Sequence, residues 1–140
     1  ILDSGIKLDH PEFSERIVMG YDFVNEDSDP TDDQGHGTNV TGIALAKGNN
    51  SIGYAGVNWN SKVMPCKVID SENLGLYSWW ADAIYYAVDN GAKVINLSAG
   101  GNTHSTTLLN AINYAYDNNV SVVVSTGNQN SSIQYPARYT

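Results

Sequence analysis

Ala92-Lys93-Val94-Ile95-Asn96-Leu97-Ser98 is a short, mostly apolar run, and it predicts a buried β-strand. Before it, residues 78–90 carry apolar side chains at helical spacing, and Gly91 stands where a helix commonly ends. After it, a second helical pattern at 106–118 leads into another apolar run at 120–125. Because helices and strands alternate, we expect an α/β domain with a doubly wound parallel sheet.

Composition and charge argue against several classes of protein. Of 140 residues, 41% are hydrophobic, and no apolar run is long enough to cross a membrane. The formal net charge of -8, without a basic stripe, argues against nucleic-acid binding. The single cysteine, Cys66, excludes an internal disulfide, and its apolar surroundings predict a buried thiol.

Residues 1–140 are interpreted as one partial domain. The chain begins inside an apolar run at Ile1, without an initiator methionine, and ends in a turn-like segment at 135–140. We therefore expect an internal fragment, in which the lack of a signal peptide carries no information about secretion.

Three polar side chains stand where predicted strands end or a helix begins. Asp3 follows the first apolar run, His36 opens a small-residue helix between two glycines, and Asn128 follows the run at 120–125. Because the carboxyl ends of parallel strands meet at one edge of a sheet, we expect these side chains to lie together. A histidine accepts and returns protons near neutral pH when a carboxylate holds its ring, and an asparagine amide donates to a developing oxyanion.

Residues 2–6, 34–42 and 122–128 resemble the Asp, His and oxyanion-hole Asn blocks of the subtilisin-like serine peptidases (subtilases). The resemblance implies a subtilisin-like fold in which Asp3 orients His36, His36 acts as general base and then acid, and Asn128 stabilises the oxyanion. No serine block of that family follows Asn128, so the nucleophilic serine is expected beyond residue 140.

The resemblance also implies which residues bind a polypeptide substrate. In subtilases, two segments that follow strands line the primary specificity pocket, and a third pairs with the extended substrate as an added strand. The matching pocket residues are Ser98, Ala99 and Gly100 with Ser125, Thr126 and Gly127, and the third segment is Asn73, Leu74 and Gly75. Tyr77 and Trp80 fall where subtilases shape a further pocket, and plain packing explains both equally well.

In the His block and the first pocket segment, the chain departs from the family pattern at three positions. Asn39 stands where another histidine is usual, and Thr41 where alanine is common. Neither position carries a triad role, so we expect altered packing beside the site. Ala99 replaces a frequent leucine, which leaves the preferred substrate side chain open.

A structural calcium is implied by residues 49–54, which resemble the calcium-binding loop of many subtilases. Calcium prefers carboxylate and carbonyl oxygens, which a tight glycine-containing loop turns inward. The implied ligands are Glu12, where the family usually has aspartate, and Asn50, Ile52 and Tyr54. A polar turn without metal is the alternative.

A cluster of acidic residues precedes His36. It supplies six of the fifteen acidic side chains, at Asp22, Glu26, Asp27, Asp29, Asp32 and Asp33. Such a cluster repels itself unless it is solvated or neutralised by a cation. A solvated loop and a weak calcium site both fit it.

Two functions from different classes fit these residues. The first is an extracellular, monomeric serine endopeptidase that acts on polypeptides, with no nucleic-acid or membrane partner; the fragment alone is expected to be inactive. The second is a non-catalytic peptide-binding relative that keeps the cleft and lacks the serine. A flavodoxin-like small-molecule binder fits less well, because no glycine-rich phosphate loop joins a strand to a helix.

Overall fold

The computed structural model of the protein describes residues 1–130 and 132–139. Within that part of the chain, five short parallel strands form one sheet: β1 (Leu2–Asp3), β2 (Tyr21–Asp22), β3 (Cys66–Lys67), β4 (Val94–Leu97) and β5 (Ser121–Val124). The α-helices are α1 (His36–Leu45), α2 (Tyr77–Asp89) and α3 (Thr106–Asp117), and a 3₁₀-helix covers Ser14–Arg16. The predicted α/β fold with a parallel sheet is confirmed.

The strand order places β1 at the centre of the sheet. Across the sheet the order is β2-β3-β1-β4-β5. Leu2 pairs with Cys66 of β3 on one side and with Leu97 of β4 on the other. Ligands of open α/β sheets bind beyond the carboxyl ends of the strands, where the order reverses. Asp3 ends β1 and therefore lies at that crevice.

Two buried clusters hold the helices on opposite faces of the sheet. Successive strand side chains point to opposite faces, so Leu2 packs with α2 and α3 whereas Asp3 faces α1. The larger cluster consists of Leu2, Cys66, Val68, Ile69, Trp80, Ala81, Ala83, Ile84, Ala87, Ile95, Leu97, Leu108, Ala111, Ala115 and Val120. The smaller consists of Ile6, Phe13, Leu45 and Val63.

The predicted element boundaries differ from the observed ones by one or a few residues. β4 and β5 are shorter than the apolar runs at 92–98 and 120–125, because their ladder extends only from the Val94–Ser121 pair to the Leu97–Val124 pair. Tyr116, an apolar-patterned residue of the predicted helix at 106–118, is 80% exposed. Tyr116 follows Leu108 by eight residues, which turns its side chain about 80° around the helix axis from the buried side chain of Leu108.

Cys66 is buried and free, and burial raises the pKa of its thiol to about 11. The prediction of a buried strand thiol is therefore confirmed. Among the residues that the structure describes, no helix has the length and apolar character needed to cross a bilayer.

Candidate active site

Asp3 and His36 form a hydrogen-bonded pair at the centre of the crevice. Nδ1 of His36 lies 2.7 Å from Oδ1 of Asp3. The Asp3 side chain is fully buried, and that of His36 is 44% exposed. Ser4 N also donates to Asp3 Oδ1, at 2.8 Å. The carboxylate therefore fixes one ring nitrogen of His36 and leaves Nε2 for another partner.

The N-terminus of α1 approaches β1 closely because two glycines meet there. A methyl group on Gly37 would overlap the carbonyl oxygen of Gly5. Ser4 Oγ accepts a hydrogen bond from Gly37 N at 2.9 Å and donates to Asp32 at 2.8 Å. These contacts hold α1 where its first residue, His36, reaches Asp3.

Asp32 supports α1 from outside the helix. Its carboxylate accepts hydrogen bonds from Thr38 N at 2.9 Å, from the Thr38 hydroxyl and from Gly35 N at 2.8 Å. Partial burial acts to raise the pKa of Asp32, but these hydrogen bonds and that of Ser4 outweigh burial and lower the pKa to about 2. Sequence reasoning placed Asp32 only in the acidic cluster; its position shortly before the helix is the signal for a capping role.

Lys67 ties the loop before α1 to the sheet. Its side chain is buried, and Nζ lies 2.6 Å from Asp33 Oδ2. Nζ also donates to the carbonyl oxygen of Thr31 at 3.3 Å. A buried ammonium requires such partners, so the pair fixes the loop that leads to His36. Sequence reasoning missed Lys67, because nothing local marks a strand lysine as buried.

A cleft of about 670 Å³ opens beside His36. Nine of the sequence-predicted site residues line it: His36, Asn73, Leu74, Gly75, Tyr77, Ser98, Ala99, Gly100 and Asn128. Trp80, for which the sequence left both a pocket role and plain packing open, lines it as well. Gln34, Ile69, Leu76 and Gly101 also line it and were not predicted. Trp80 both lines the cleft and packs in the larger core cluster, so neither interpretation of this residue excludes the other.

Ser125, Thr126 and Gly127 lie beside the cleft and do not line the same cavity. Ser125 Oγ donates to the Ala99 carbonyl oxygen at 3.3 Å, which joins the segments that follow β4 and β5. Thr126 O accepts a hydrogen bond from Gln134 N at 3.1 Å. The two predicted pocket segments are therefore neighbours, with Gln134 against one of them.

The predicted calcium loop lies against Glu12. This side chain is buried; Oε2 accepts a hydrogen bond from Asn50 Nδ2 at 2.9 Å, and Oε1 has no hydrogen-bond partner in the described residues. Gly53 packs against Oε1, where a side chain would overlap it. The side chains of Ile52 and Tyr54 are exposed, so only their main-chain carbonyls suit a cation. An unpartnered buried carboxylate oxygen beside a carbonyl-rich loop fits a hard cation.

The acidic cluster makes hydrogen bonds with its own backbone. Asp22 Oδ1 accepts from Val24 N and Asn25 N, and Asp27 Oδ1 accepts from Asp29 N, at 2.8–2.9 Å. No group of three or more His, Cys, Asp or Glu in residues 1–130 and 132–139 is arranged to hold a metal ion.

Comparisons with known proteins agree with this geometry. The family model described as the subtilase family matches residues 1–140. A thermophilic serine proteinase of Bacillus sp. (strain AK1) is 45% identical over 140 residues, which cover 99% of this chain and 35% of that protein. Thermitase of Thermoactinomyces vulgaris is 41% identical over 141 residues, with 100% of this chain and 50% of that protein covered.

The fold is shared with solved structures. A cold-adapted subtilisin-like serine proteinase superposes with a TM-score of 0.85 at 32% identity, over 98% of this chain and 49% of the other. The chain thus spans between about a third and about half of the length of the proteins it matches.

Proposed function

This chain belongs to the subtilase family, and from that premise we propose that the complete protein is a serine endopeptidase that cleaves polypeptides. In the proposed reaction, a serine beyond residue 140 attacks the peptide carbonyl. His36 takes the serine proton on Nε2 and returns it to the leaving amine, and Asp3 holds the ring during both transfers. Asn128 donates a hydrogen bond to the oxyanion that develops on the carbonyl oxygen.

The observation that carries this proposal is the pairing of Asp3 with His36. The 2.7 Å between Oδ1 and Nδ1 is the length of a strong, charge-assisted hydrogen bond. His36 and Asn128 also line the same cleft, which supports a role for both at one bound peptide. General acid–base chemistry at a stabilised oxyanion needs this combination.

The cleft suits an extended polypeptide. Residues 73–75 and 98–100 line it together, and an extended chain between them adds a strand through main-chain hydrogen bonds. Side-chain selection then depends on the space beside Ser98, Ala99 and Gly100 and beside Ser125, Thr126 and Gly127.

We propose that Glu12, Asn50 and the carbonyl oxygens of Ile52 and Tyr54 hold a structural calcium. The support is the buried Glu12 Oε1, which has no hydrogen-bond partner in the described part of the chain. The ion would neutralise this carboxylate and tie the loop to the smaller core cluster, which contains Phe13. It takes no part in the proposed peptide hydrolysis.

The proposed enzyme acts outside the cell as a monomer on polypeptides. Its acidic composition, with a net charge of -8, supports a partner other than nucleic acid. An extracellular location follows from the family resemblance, and size-exclusion chromatography and fractionation of the producing cells test the monomer and the location.

The catalytic proposal is tested on the full-length protein with a serine-directed fluorophosphonate and a peptide substrate. We expect covalent labelling, and we expect His36→Ala and Asp3→Asn each to lower kcat by several orders of magnitude without adding in the double variant. Asn128→Ala lowers kcat by about 100- to 1,000-fold, a magnitude taken from subtilisin itself, with KM nearly unchanged.

His104→Ala is the matched control, because His104 is exposed and lies outside the residues that line the cleft. Its kcat should stay within about twofold of the wild type. An unlabelled and inert full-length protein would contradict the proposal and favour the non-catalytic, peptide-binding relative.

A further inference from the structure

The loop between β3 and α2 closes on itself at Asp70. Asp70 N donates to the carbonyl oxygen of Leu74 at 2.8 Å, and Asn73 N donates to the carbonyl oxygen of Asp70 at 3.1 Å. The side chain of Asp70 adds to these bonds, because its Oδ1 accepts from Glu72 N and from Leu74 N, both at 2.9 Å. Two backbone and two side-chain hydrogen bonds therefore converge on Asp70.

The same loop leads into the edge that is proposed to pair with the substrate. Asn73, Leu74 and Gly75 line the cleft. In the described part of the chain, neither the N–H nor the carbonyl oxygen of Gly75 takes part in a backbone hydrogen bond. Both groups are therefore available to an extended chain that adds as a strand.

The two ends of this edge are held by different contacts. At one end, a methyl group on Gly75 would lie 2.6 Å from Trp80 Nε1 and 2.9 Å from the Val68 carbonyl oxygen, so the backbone packs directly on the core. At the other end, Asn73 has a φ of 65°, a left-handed conformation that is uncommon outside glycine. Leu74 is 60% exposed and gains little from burial. The hydrogen bonds to Asp70 are thus the main constraint on that end.

The base of the loop is joined to the residue that holds His36. Val68 N and Ile69 N, which directly precede Asp70, donate to the carbonyl oxygen of Asp3 at 2.8 and 3.3 Å. An edge that is fixed to Asp70 is therefore also fixed relative to the Asp3–His36 pair.

We propose that Asp70 is a positioning residue, whose carboxylate holds residues 73–75 ready to pair with an extended substrate. This inference rests on the proposed function and adds the reason why its site selects peptides with several residues before the scissile bond. A loop that is ordered in advance avoids the loss of conformational entropy on binding. Only a substrate that is long enough to form a ladder with the edge gains from this order, because each strand residue spans about 3.3 Å.

The test compares two p-nitroanilides on the full-length enzyme: an acetylated tetrapeptide and the acetylated single amino acid that forms its last residue. Asp70→Ala should raise KM for the tetrapeptide by on the order of tenfold and leave its kcat within about twofold of the wild type. KM for the single amino acid should change by less than about twofold. A general disturbance of the active site would instead lower kcat for both substrates.

Asp70→Asn is the conservative variant, because an amide oxygen accepts the same two hydrogen bonds. It should keep the wild-type ratio of the two KM values. Glu72→Ala is the matched control, since it removes an exposed carboxylate from the same loop and keeps the Glu72 N–H that Asp70 accepts; its ratio should also be that of the wild type.

Two results overturn the inference while leaving the proposed function intact. The first is a ratio of KM values that does not change in Asp70→Ala. The second is a loss of tetrapeptide binding in Asp70→Asn as large as in Asp70→Ala, because the acceptor oxygen would then not be what holds the edge.

Peptide binding gives a second readout that does not need catalysis. The acetylated tetrapeptide with a free carboxyl end is titrated against full-length His36→Ala, with and without Asp70→Ala. The added substitution should raise the dissociation constant by on the order of tenfold. A wild-type protein that is inert toward both p-nitroanilides contradicts the proposed function, whereas equal dissociation constants in this titration overturn the inference about Asp70 separately.

Discussion

Asp32 is the single residue on which the start of α1 most depends. It receives hydrogen bonds from the helix backbone at Thr38, from Gly35 before the helix and from Ser4 after β1. Since Ser4 follows Asp3 and Gly37 follows His36, Asp32 joins the two sides of the hydrogen-bonded Asp3–His36 pair. Its removal should disturb both the stability of α1 and the geometry of that pair.

Asp32→Asn should lower the free energy of unfolding at neutral pH by an amount that disappears in acid. The folded-state pKa of about 2 lies below the ordinary value of 3.8, so the carboxylate stabilises the fold fully above about pH 3.8. This stabilisation is lost as the pH falls through about 2. Urea midpoints of the full-length protein, measured from pH 7 downward in a His36→Ala background that prevents self-digestion, should therefore converge.

Asp82→Asn serves as the control for this titration, because Asp82 is exposed on α2 and should show no such pH-dependent difference. The urea midpoints of the Asp32→Asn variant and of the His36→Ala background are compared at each pH. A difference between them that stays constant down to about pH 2 would refute the role given to the Asp32 carboxylate.

At the scale of elements, α1 packs one face against β1, and that face contains a buried polar group without a hydrogen bond. Thr41 is fully buried, and its Oγ1 has no hydrogen-bond partner among the residues that the structure describes. The altered packing expected where the family has alanine thus takes the form of an unsatisfied hydroxyl.

Thr41→Val should stabilise the full-length protein by about 1 kcal/mol. Valine has the same shape and β-branching as threonine, so the exchange removes the unsatisfied hydroxyl and leaves no cavity. Thr38→Val, in the same helix, should instead destabilise it, because the Thr38 hydroxyl donates to Asp32 and accepts from Lys7 N. Urea unfolding of both variants checks whether the free energy of unfolding changes in opposite directions. An equal decrease in both would show that the Thr41 hydroxyl does have a hydrogen-bond partner.

At the scale of the whole molecule, the fold has two regions with different sources of stability. The larger core cluster joins α2 and α3 to the sheet through extensive apolar burial. The smaller one contains only Ile6, Phe13, Leu45 and Val63, beside the buried carboxylate of Glu12. Since so few apolar side chains support this second region, a bound cation has most to contribute there.

Calcium should therefore raise the melting temperature of the full-length protein. When its free concentration is about 100 times its Kd, an ion that binds only the folded state adds about 2.7 kcal/mol to the free energy of unfolding. This corresponds to a rise in Tm of roughly 5 to 10 °C. Glu12→Gln should abolish the difference between melts in calcium and in chelator. Glu15→Gln, at an exposed neighbouring position, should preserve this difference. If the wild-type melting curves in calcium and in chelator superimpose, the calcium proposal is wrong.

The amino-acid sequence by itself determined the class of fold and the main catalytic candidates. The helices at 78–90 and 106–118 were predicted to within about one residue, because helical hydrogen bonds and periodicity are local. Asp3, His36 and Asn128 were recognisable because each stands at the end of an element, in a short motif of its own.

Tertiary structure alone decided the contacts between distant segments. Strand lengths depended on pairing, as in β1, whose two residues are limited by their partners in β3 and β4. Lys67 became a buried partner of Asp33, and Gln134 came to lie against Gly100 and Gly127, only because the folded chain brought their segments together. Long-range pairing and close packing leave no local pattern in sequence, so these contacts had to be seen in three dimensions.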